Sequence, residues 1–131
     1  MAADHVETID RAVDAFNRRD IDDFLALIAP DVEFVPAVVV MEGRYRGHDG
    51  ARRWWRDLFA VFPDWRATAD VRPVGRLTLA AIRVSGHGGE SGAPVDQTIW
   101  QVAAFAPDGR VARMANHATE ADALRTAEGW G

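Results

Sequence analysis

The sequence predicts an α+β fold in which helices pack on one antiparallel sheet. In the first half of the chain the apolar residues recur with a helical period, and from Trp65 onward they alternate with the period of a strand. The length of 131 residues is typical of one domain with a proper core, and no repeat or linker-like segment interrupts the chain. We therefore expect a single domain over residues 1–131, with helices first and the sheet afterwards.

Three helical patterns precede the main sheet. The first helix presents one apolar stripe, formed by Val6, Ile9, Val13 and Phe16. Asp20 is placed to cap a short second helix, which Pro30 is expected to end. The segment DVEFV at 31–35 then alternates as a strand, and the connection that follows it has no defined shape. The third helix is predicted over residues 49–62, where Pro63 stops it.

Four strands and a last helix complete the prediction. The strands are expected at Trp65–Val74, Leu77–Ser85, Val95–Ala106 and Arg110–Ala118. PDGR at 107–110 is a tight-turn signal, and SGHGGESGAP predicts a glycine-rich hairpin loop. Thr119 is placed to cap a helix over Glu120–Ala127, with Asp122 where a capping box usually has Glu. Gly129 is expected to close this helix.

Composition excludes several classes of function. The net charge of −5 and the pI of about 5.3 disfavour a general nucleic-acid binder, which usually carries a basic excess. The absence of cysteine excludes disulfides, thiolate metal sites and cysteine nucleophiles. No secretory signal and no apolar run of membrane-spanning length are visible, so we expect a cytoplasmic protein with no membrane partner. Metal-binding spacings such as HExxH are also missing, and no cofactor is predicted.

The stretch YRGHDGARRWWRDLF resembles a basic and aromatic grip for single-stranded nucleic acid when it is read linearly. On a helix its aromatic and basic groups separate onto different faces. The apolar face is formed by Ala51, Trp55, Leu58, Phe59 and Phe62. The arginines fall mostly on the solvated side, with Trp54 at the border. The stretch therefore predicts a buried helix that lines a pocket against the sheet, and no nucleic-acid partner.

Three blocks together carry a resemblance to a known family: FNRRDIDDFLALIAPDVEFVP, YRGHDGARRWWRDLF and DGRVARMANHATEADAL. In order and spacing the chain resembles the SnoaL-like branch of the NTF2-like superfamily. The resemblance implies a cone-shaped α+β barrel, in which a strongly bent, mixed and mostly antiparallel sheet wraps the third helix and encloses an apolar cavity. Members are commonly dimers through the outer sheet face. They include ketosteroid isomerases, limonene-epoxide hydrolases, polyketide cyclases, dehydratases and binding proteins, so fold does not fix function.

The catalytic groups of the isomerases have no counterpart here. The resemblance places their carboxylate base at or beside Pro36, next to Val35, and neither residue can take a proton. Their oxyanion-hole tyrosine falls near Ala12 and their oxyanion-hole acid near Gln101. An amide can donate a hydrogen bond to developing negative charge, but it cannot exchange a proton.

The hydrolase and cyclase machinery is incomplete in the same way. The residues that position water in the epoxide hydrolases correspond to Val32 and Phe34, and their base corresponds to Asn116. The cyclases rely on an inward-facing acid on a late strand, and no acid stands at the matching positions. Gln101, Asn116 and His87 are therefore the weak catalytic candidates that this sequence offers.

These positions predict a hydrophobic pocket with two amides. Its apolar lining is expected from Phe16, Val32, Phe34, Trp55, Phe59, Ala103, Phe105 and Met114. Gln101 and Asn116 would be its fixed polar points. The first functional hypothesis is binding of a small neutral, apolar molecule. The alternatives are an isomerase, cyclase or hydrolase acting on a polyketide-, steroid- or terpenoid-like substrate, with His87 or a displaced acid as base, and a dimeric scaffold whose cavity is filled by side chains.

The remaining polar candidates are the histidines and the strand acids. His87 begins the glycine-rich loop, which could bring an imidazole to the mouth of the cavity. His5 is expected to be solvated, and His48 to serve turn structure at the start of the third helix. Glu33 and Asp96 are predicted to point away from the pocket, because they alternate with inward-facing residues.

An apolar outer sheet face is predicted as well. Trp100 and Val102 alternate with Gln101 and therefore point to the opposite face, and His117 joins them if Asn116 points inward. An exposed apolar sheet face usually marks an interface. These three residues therefore predict a homodimer contact through the outer face.

Overall fold

The structure is a computed structural model that describes residues 2–36, 45–88 and 92–131. Within these ranges the chain forms four helices and six strands, which confirms the predicted α+β fold. In chain order they are α1 Ala2–Arg18, α2 Ile21–Ala26, β1 Ile28–Pro36, β2 Tyr45–Arg46, α3 Gly47–Val61, β3 Arg66–Val74, β4 Leu77–His87, β5 Pro94–Phe105, β6 Val111–His117 and α4 Glu120–Trp130. Most of the undefined connection after β1, and residues 89–91 of the glycine-rich loop, lie outside the described residues.

The six strands form one mixed sheet in the order β2-β1-β6-β5-β4-β3. β1 and β6 are parallel, and every other neighbouring pair is antiparallel. The register shifts in β1 between Ile28 and Glu33, and in β5 between Ala104 and Phe105. Such irregularities bend strands and increase their twist, which allows this sheet to curve around the helices.

The chain enters the sheet earlier than the sequence predicts. Asp20 caps α2 as expected, because its side chain accepts a hydrogen bond from the backbone N–H of Asp23. Pro30 does not end the helix, however, and instead lies inside β1. Ile28 is fully buried and pairs with β6, while Pro30 falls in the shifted part of the register, where its missing N–H breaks no ladder bond.

Helix α1 covers one end of the inner face, which we define as the sheet face that α1 and α3 cover. Its apolar stripe is buried there, with Ile9 and Phe16 almost inaccessible to solvent. At its C-terminal end, Asn17 donates to the carbonyl of Ala67 and accepts from the N–H of Ala67, both at 2.8 Å. β3 is an edge strand, so this amide satisfies backbone groups that would otherwise be unpaired.

Helix α4 packs on the opposite, outer face of the sheet. The Thr119 hydroxyl accepts a hydrogen bond from the N–H of Asp122, which is the predicted cap. The predicted end at Gly129 is wrong, because the helix continues to Trp130. The outer cluster that α4 completes is formed by Leu77, Leu79, Val102, Ala123 and Ala127. Among the described residues, no helix is both long and apolar enough to cross a bilayer.

Replacing Gly86 by alanine is expected to destabilise the fold by about 1–3 kcal/mol, the usual cost of overpacking. A Cβ at this position would lie 2.9 Å from a ring carbon of Trp65 and 3.2 Å from its Cα, and backbone cannot yield cheaply. The measurement is urea unfolding followed by far-UV circular dichroism. Gly129→Ala is the matched control, because a Cβ there meets no atom within 4 Å and the residue is helical. It should stabilise by up to about 1 kcal/mol, and an equal loss in both variants would contradict the steric argument.

Candidate functional site

A cavity of about 340 Å³ lies between α1, α3 and the inner face of the sheet. This volume falls within the size range of small-molecule sites. Most of its wall is apolar. Characteristic side chains of that wall, drawn from both helices and the sheet, are Ile9, Phe16, Phe34, Trp54, Ile82 and Met114.

Two amides interrupt the apolar wall. Gln101 and Asn116 are direct cross-strand partners in β5 and β6, and the Gln101 Nε2 donates a hydrogen bond of 3.2 Å to the Asn116 Oδ1. Gln97 and Thr98 also border the cavity and are exposed, so this end opens towards solvent. Among the described residues that line the cavity there is no aspartate, glutamate or arginine.

The wall includes several of the positions to which the family resemblance assigns catalytic groups. Ala12, Phe34 and Val35 line it together with Gln101 and Asn116. Pro36 pairs with Asn116 in the β1–β6 register. Each of these side chains is uncharged at every pH, so none of these positions supplies a proton-transfer group.

Half of the residues predicted for the pocket line this cavity: Phe16, Phe34, Gln101, Met114 and Asn116. The other five lie in the surrounding core: Val32, Trp55, Phe59, Ala103 and Phe105. Val32 and Ala103 are fully buried by neighbouring side chains. Phe105 stacks on His5 with their ring centres 3.9 Å apart, so His5 is also not the solvated residue that was predicted.

On α3 it is Trp54, and not the predicted Trp55, that lines the cavity. Trp55 packs instead into three phenylalanine rings, with centroid distances of 5.6 Å to Phe16, 5.1 Å to Phe24 and 5.2 Å to Phe59. Trp54 lies nearly parallel to Phe34, 5.8 Å away. Of the two tryptophans, Trp54 therefore borders the cavity, together with Leu58 of the predicted apolar face, while Trp55 packs within the core.

The sequence interpretation also missed wall residues on the sheet. Ile82, Val84 and Ile99 line the cavity. Ile82 and Ile99 are cross-strand partners, and Ile99 is two residues from Gln101. The same alternation that placed Gln101 on the inner face predicts Ile99 there, so this signal was present in the sequence.

His87 is not at the cavity. It ends β4, on the face opposite to Val84, and is absent from the described cavity wall. Its Nδ1 lies 2.7 Å from the Oδ2 of Asp64, and its backbone N–H donates to the Asp64 Oδ1 at 2.8 Å. These bonds from the His87 ring and backbone hold the pKa of the Asp64 carboxyl below its usual value. The pair closes the turn between α3 and β3 against the end of β4, which is a structural role.

Asp64→Asn is expected to change how stability depends on pH. The lowered pKa means that Asp64 contributes stability above its unfolded pKa of about 3.9, and this contribution is lost as the pH falls through the folded value. The difference in free energy of unfolding between wild type and Asp64→Asn should therefore be constant above about pH 5 and shrink at lower pH. Urea unfolding from pH 6 to pH 2.5 measures it. His87→Ala, which keeps the backbone donor, should show a smaller effect, and a difference independent of pH would contradict this role.

The other histidines have partners outside the cavity. The Nε2 of His117 lies 2.8 Å from the Thr126 hydroxyl on α4, although the residue also borders the cavity. The Nε2 of His48 donates to the carbonyl of Ile28 at 3.1 Å, which ties the start of α3 to β1. In the described part of the chain, no group of three or more His, Asp or Glu residues could hold a metal ion.

The predicted outward acids are ion-paired and stand away from the described cavity wall. Glu33 lies 3.1 Å from Arg46 and 3.5 Å from Arg113. Asp96 pairs with Arg83 at 2.6 Å, and this bond holds the pKa of the Asp96 carboxyl below its usual value. Neither carboxylate is placed to act on a molecule in the cavity.

The residues predicted for a dimer contact do lie on the outer face, but part of that face is covered within the chain. Val102 is 0% exposed beneath α4, and Trp100 is half-buried beside the same outer cluster. The His117 ring binds Thr126 of α4. Because α4 covers these positions, their apolar character does not require a second chain. The homodimer therefore stays a prediction that the strand alternation of β5 and β6 does not support.

Comparison with known proteins agrees with this geometry. The family model of the SnoaL-like domain matches residues 9–114. An NTF2-like protein of unknown function from Burkholderia pseudomallei superposes with a TM-score of 0.78 at 22% identity, covering 93% of this chain and 95% of the other. A protein from Jannaschia sp., provisionally described as a SnoaL-like polyketide cyclase, gives a TM-score of 0.77 at 22% identity over 96% and 92% of the two chains.

IdmH from Streptomyces antibioticus, also provisionally described as a polyketide cyclase, gives a TM-score of 0.76 at 22% identity over 95% of this chain and 98% of its own. No curated protein matches the chain by sequence. At these identities the solved structures establish the fold, while the family model covers most of the chain. This protein therefore belongs to the SnoaL-like domain family and has the NTF2-like fold.

Proposed function

We propose that this protein binds a small, neutral and largely apolar molecule in the cavity between α1, α3 and the sheet. The observation that carries the proposal is the chemistry of the wall: apolar side chains surround two mutually bonded amides, with no carboxylate or guanidinium on the described wall. Apolar surface that leaves water for such a wall gains about 25 cal/mol per Å². A charged ligand would lose its hydration without gaining a carboxylate or guanidinium partner on the described wall.

Thermal unfolding with a panel of lipophilic compounds tests this proposal, together with native mass spectrometry of the purified protein for a retained ligand. A compound present at one hundred times its Kd should stabilise the fold by about 2.7 kcal/mol. Ile82→Trp, which places a larger ring in the cavity, should remove the shift. Val61→Trp adds the same ring at an exposed position and should keep it. A panel without any shift and no retained ligand would contradict the proposal.

An enzyme acting in the same cavity is the second candidate. Two solved structures of the same fold are provisionally described as polyketide cyclases, and an amide such as that of Gln101 can polarise a carbonyl group. Against this, His117 is the one titratable residue among the described residues of the wall, and its ring is bonded to α4. We therefore expect binding without turnover, and time-resolved mass spectrometry showing conversion of a bound ligand would favour the enzyme.

The scaffold hypothesis requires a cavity filled by side chains. The volume of about 340 Å³ disfavours it. The cytoplasmic location and the homodimer stay part of the proposal, and light scattering coupled to size-exclusion chromatography measures the second.

A further inference from the structure

We infer that Gln101 and Asn116 form a neutral recognition point for a ligand that carries a hydrogen-bond donor and an acceptor side by side, as in a primary amide. The inference rests on the proposed function and names the polar group of its ligand. It concerns specificity and requires no catalytic step.

The hydrogen bond between the two amides fixes what they offer. An amide has one carbonyl oxygen that accepts and one NH₂ that donates. The bond from the Gln101 Nε2 to the Asn116 Oδ1 leaves the Gln101 carbonyl and the Asn116 NH₂ without a side-chain partner among the described residues. Because both side chains line the cavity, these two groups are available to a ligand there.

This result does not depend on which way the amides are turned. If both were rotated by 180°, Asn116 would donate to Gln101, and the remaining groups would be the Asn116 carbonyl and the Gln101 NH₂. Rotating only one would place two donors or two acceptors together, which is no hydrogen bond. In either bonded arrangement the pair presents one donor and one acceptor.

The surroundings make that pattern selective. Gln101 lies beside Ala80 on β4, and Asn116 is two residues from Met114 on β6. In this part-buried setting a polar group left unpaired when a ligand covers it is costly, so a ligand that satisfies only one of the two amides binds less well. A carboxylate would present acceptors to the free carbonyl and find no guanidinium on the described wall. The site therefore selects a neutral donor–acceptor pair.

Naphthalene derivatives that differ in one substituent test the inference by isothermal titration calorimetry at pH 7.5. The probes are 2-naphthamide, with donor and acceptor together; methyl 2-naphthoate, with acceptors alone; 2-naphthoate, an anion; and 2-methylnaphthalene, with neither. We expect 2-naphthamide to bind at least tenfold more tightly than the ester, and the anion to bind most weakly. Equal affinity of the ester or the anion with the amide overturns the inference while leaving the proposed function intact. Absence of binding by all four probes, including 2-methylnaphthalene, overturns the proposed function and this inference with it.

Substitutions test whether Gln101 and Asn116 cause the preference for 2-naphthamide over the ester. The double variant Gln101→Leu/Asn116→Leu should bind 2-naphthamide and methyl 2-naphthoate equally, with affinity for 2-methylnaphthalene unchanged or higher. The control is Thr68→Leu, which places the same new side chain at an exposed β3 position outside the described cavity wall. It should keep the tenfold preference. Loss of the preference in the control, or its survival in the double variant, overturns the inference. Thermal melts of each variant separate lost selectivity from lost folding.

Discussion

Val102→Asp is expected to prevent the protein from folding stably. Val102 is 0% exposed at the centre of the outer cluster, where α4 covers it. A carboxylate there would be buried without a partner, or would have to displace α4 to reach water. An unpaired buried charge costs several kcal/mol, which is comparable with the total stability of about 5–15 kcal/mol of an ordinary domain. Circular dichroism and urea unfolding measure the loss.

The control for this variant is Val61→Asp, because Val61 is 54% exposed at the end of α3. Its effect should stay within about 1 kcal/mol. The comparison also bears on the predicted dimer. If the outer face at Val102 were a contact between two chains, Val102→Asp would give a folded monomer. That outcome by light scattering would contradict the covering role of α4.

The limits of the outer-face prediction have a physical cause. Alternation along a strand states which face a residue occupies, and it placed Val102 and Gln101 on opposite faces correctly. It does not state what covers that face. α4 was predicted as a short helix with a cap, but its contact with β5 depends on how the chain turns after β6. The helix propensity of the residues in α4 does not specify the direction in which the chain turns after β6.

Polar contacts between residues far apart in the chain could not be predicted from local sequence patterns, for a similar reason. His87 and Asp64 are 23 residues apart, and their contact follows from the pairing of β3 with β4. Inspection of helical spacings for histidine–acid pairs cannot find it. Once the β3–β4 hairpin is drawn in register, however, with Arg66 opposite Ser85, Asp64 falls opposite His87. Sheet register therefore carries information about polar partners that local periodicity lacks.

The fold itself was accessible because two periods dominate the sequence. The change from a helical to a strand period near Trp65 coincides with the start of β3, and the caps at Asp20 and Thr119 are satisfied by the bonds that their positions predict. The predicted ends of helices were wrong where proline or glycine, which often end a helix, are also tolerated inside an element. Pro30 and Gly129 both read as ends of helices, and the structure places each inside an element.

The orientation of α3 about its axis decides whether Trp54 or Trp55 contacts a ligand in the cavity. Alanine substitutions at the two positions distinguish these orientations. Trp55→Ala should cost about 3 kcal/mol of stability, the lower end for a large-to-small change because the residue is only half-buried. Its ring contacts Phe16, Phe24 and Phe59, so the loss falls on the contacts among α1, α2 and α3. The affinity for 2-naphthamide should change by less than threefold. Urea unfolding and calorimetry measure the two quantities.

Trp54→Ala, unlike Trp55→Ala, should weaken ligand binding strongly. The indole lines the cavity and stacks 5.8 Å from Phe34, so its removal widens the space in which a flat ligand is held. We expect the affinity for 2-naphthamide to fall at least tenfold, or about 1.4 kcal/mol, because the ligand loses an aromatic wall. Trp54→Phe should recover part of this affinity, and Trp55→Phe should recover part of the stability. If Trp55→Ala abolished binding while Trp54→Ala left it intact, Trp55 would face the ligand, as the sequence alone predicts. That outcome would contradict the orientation of α3 in this structure.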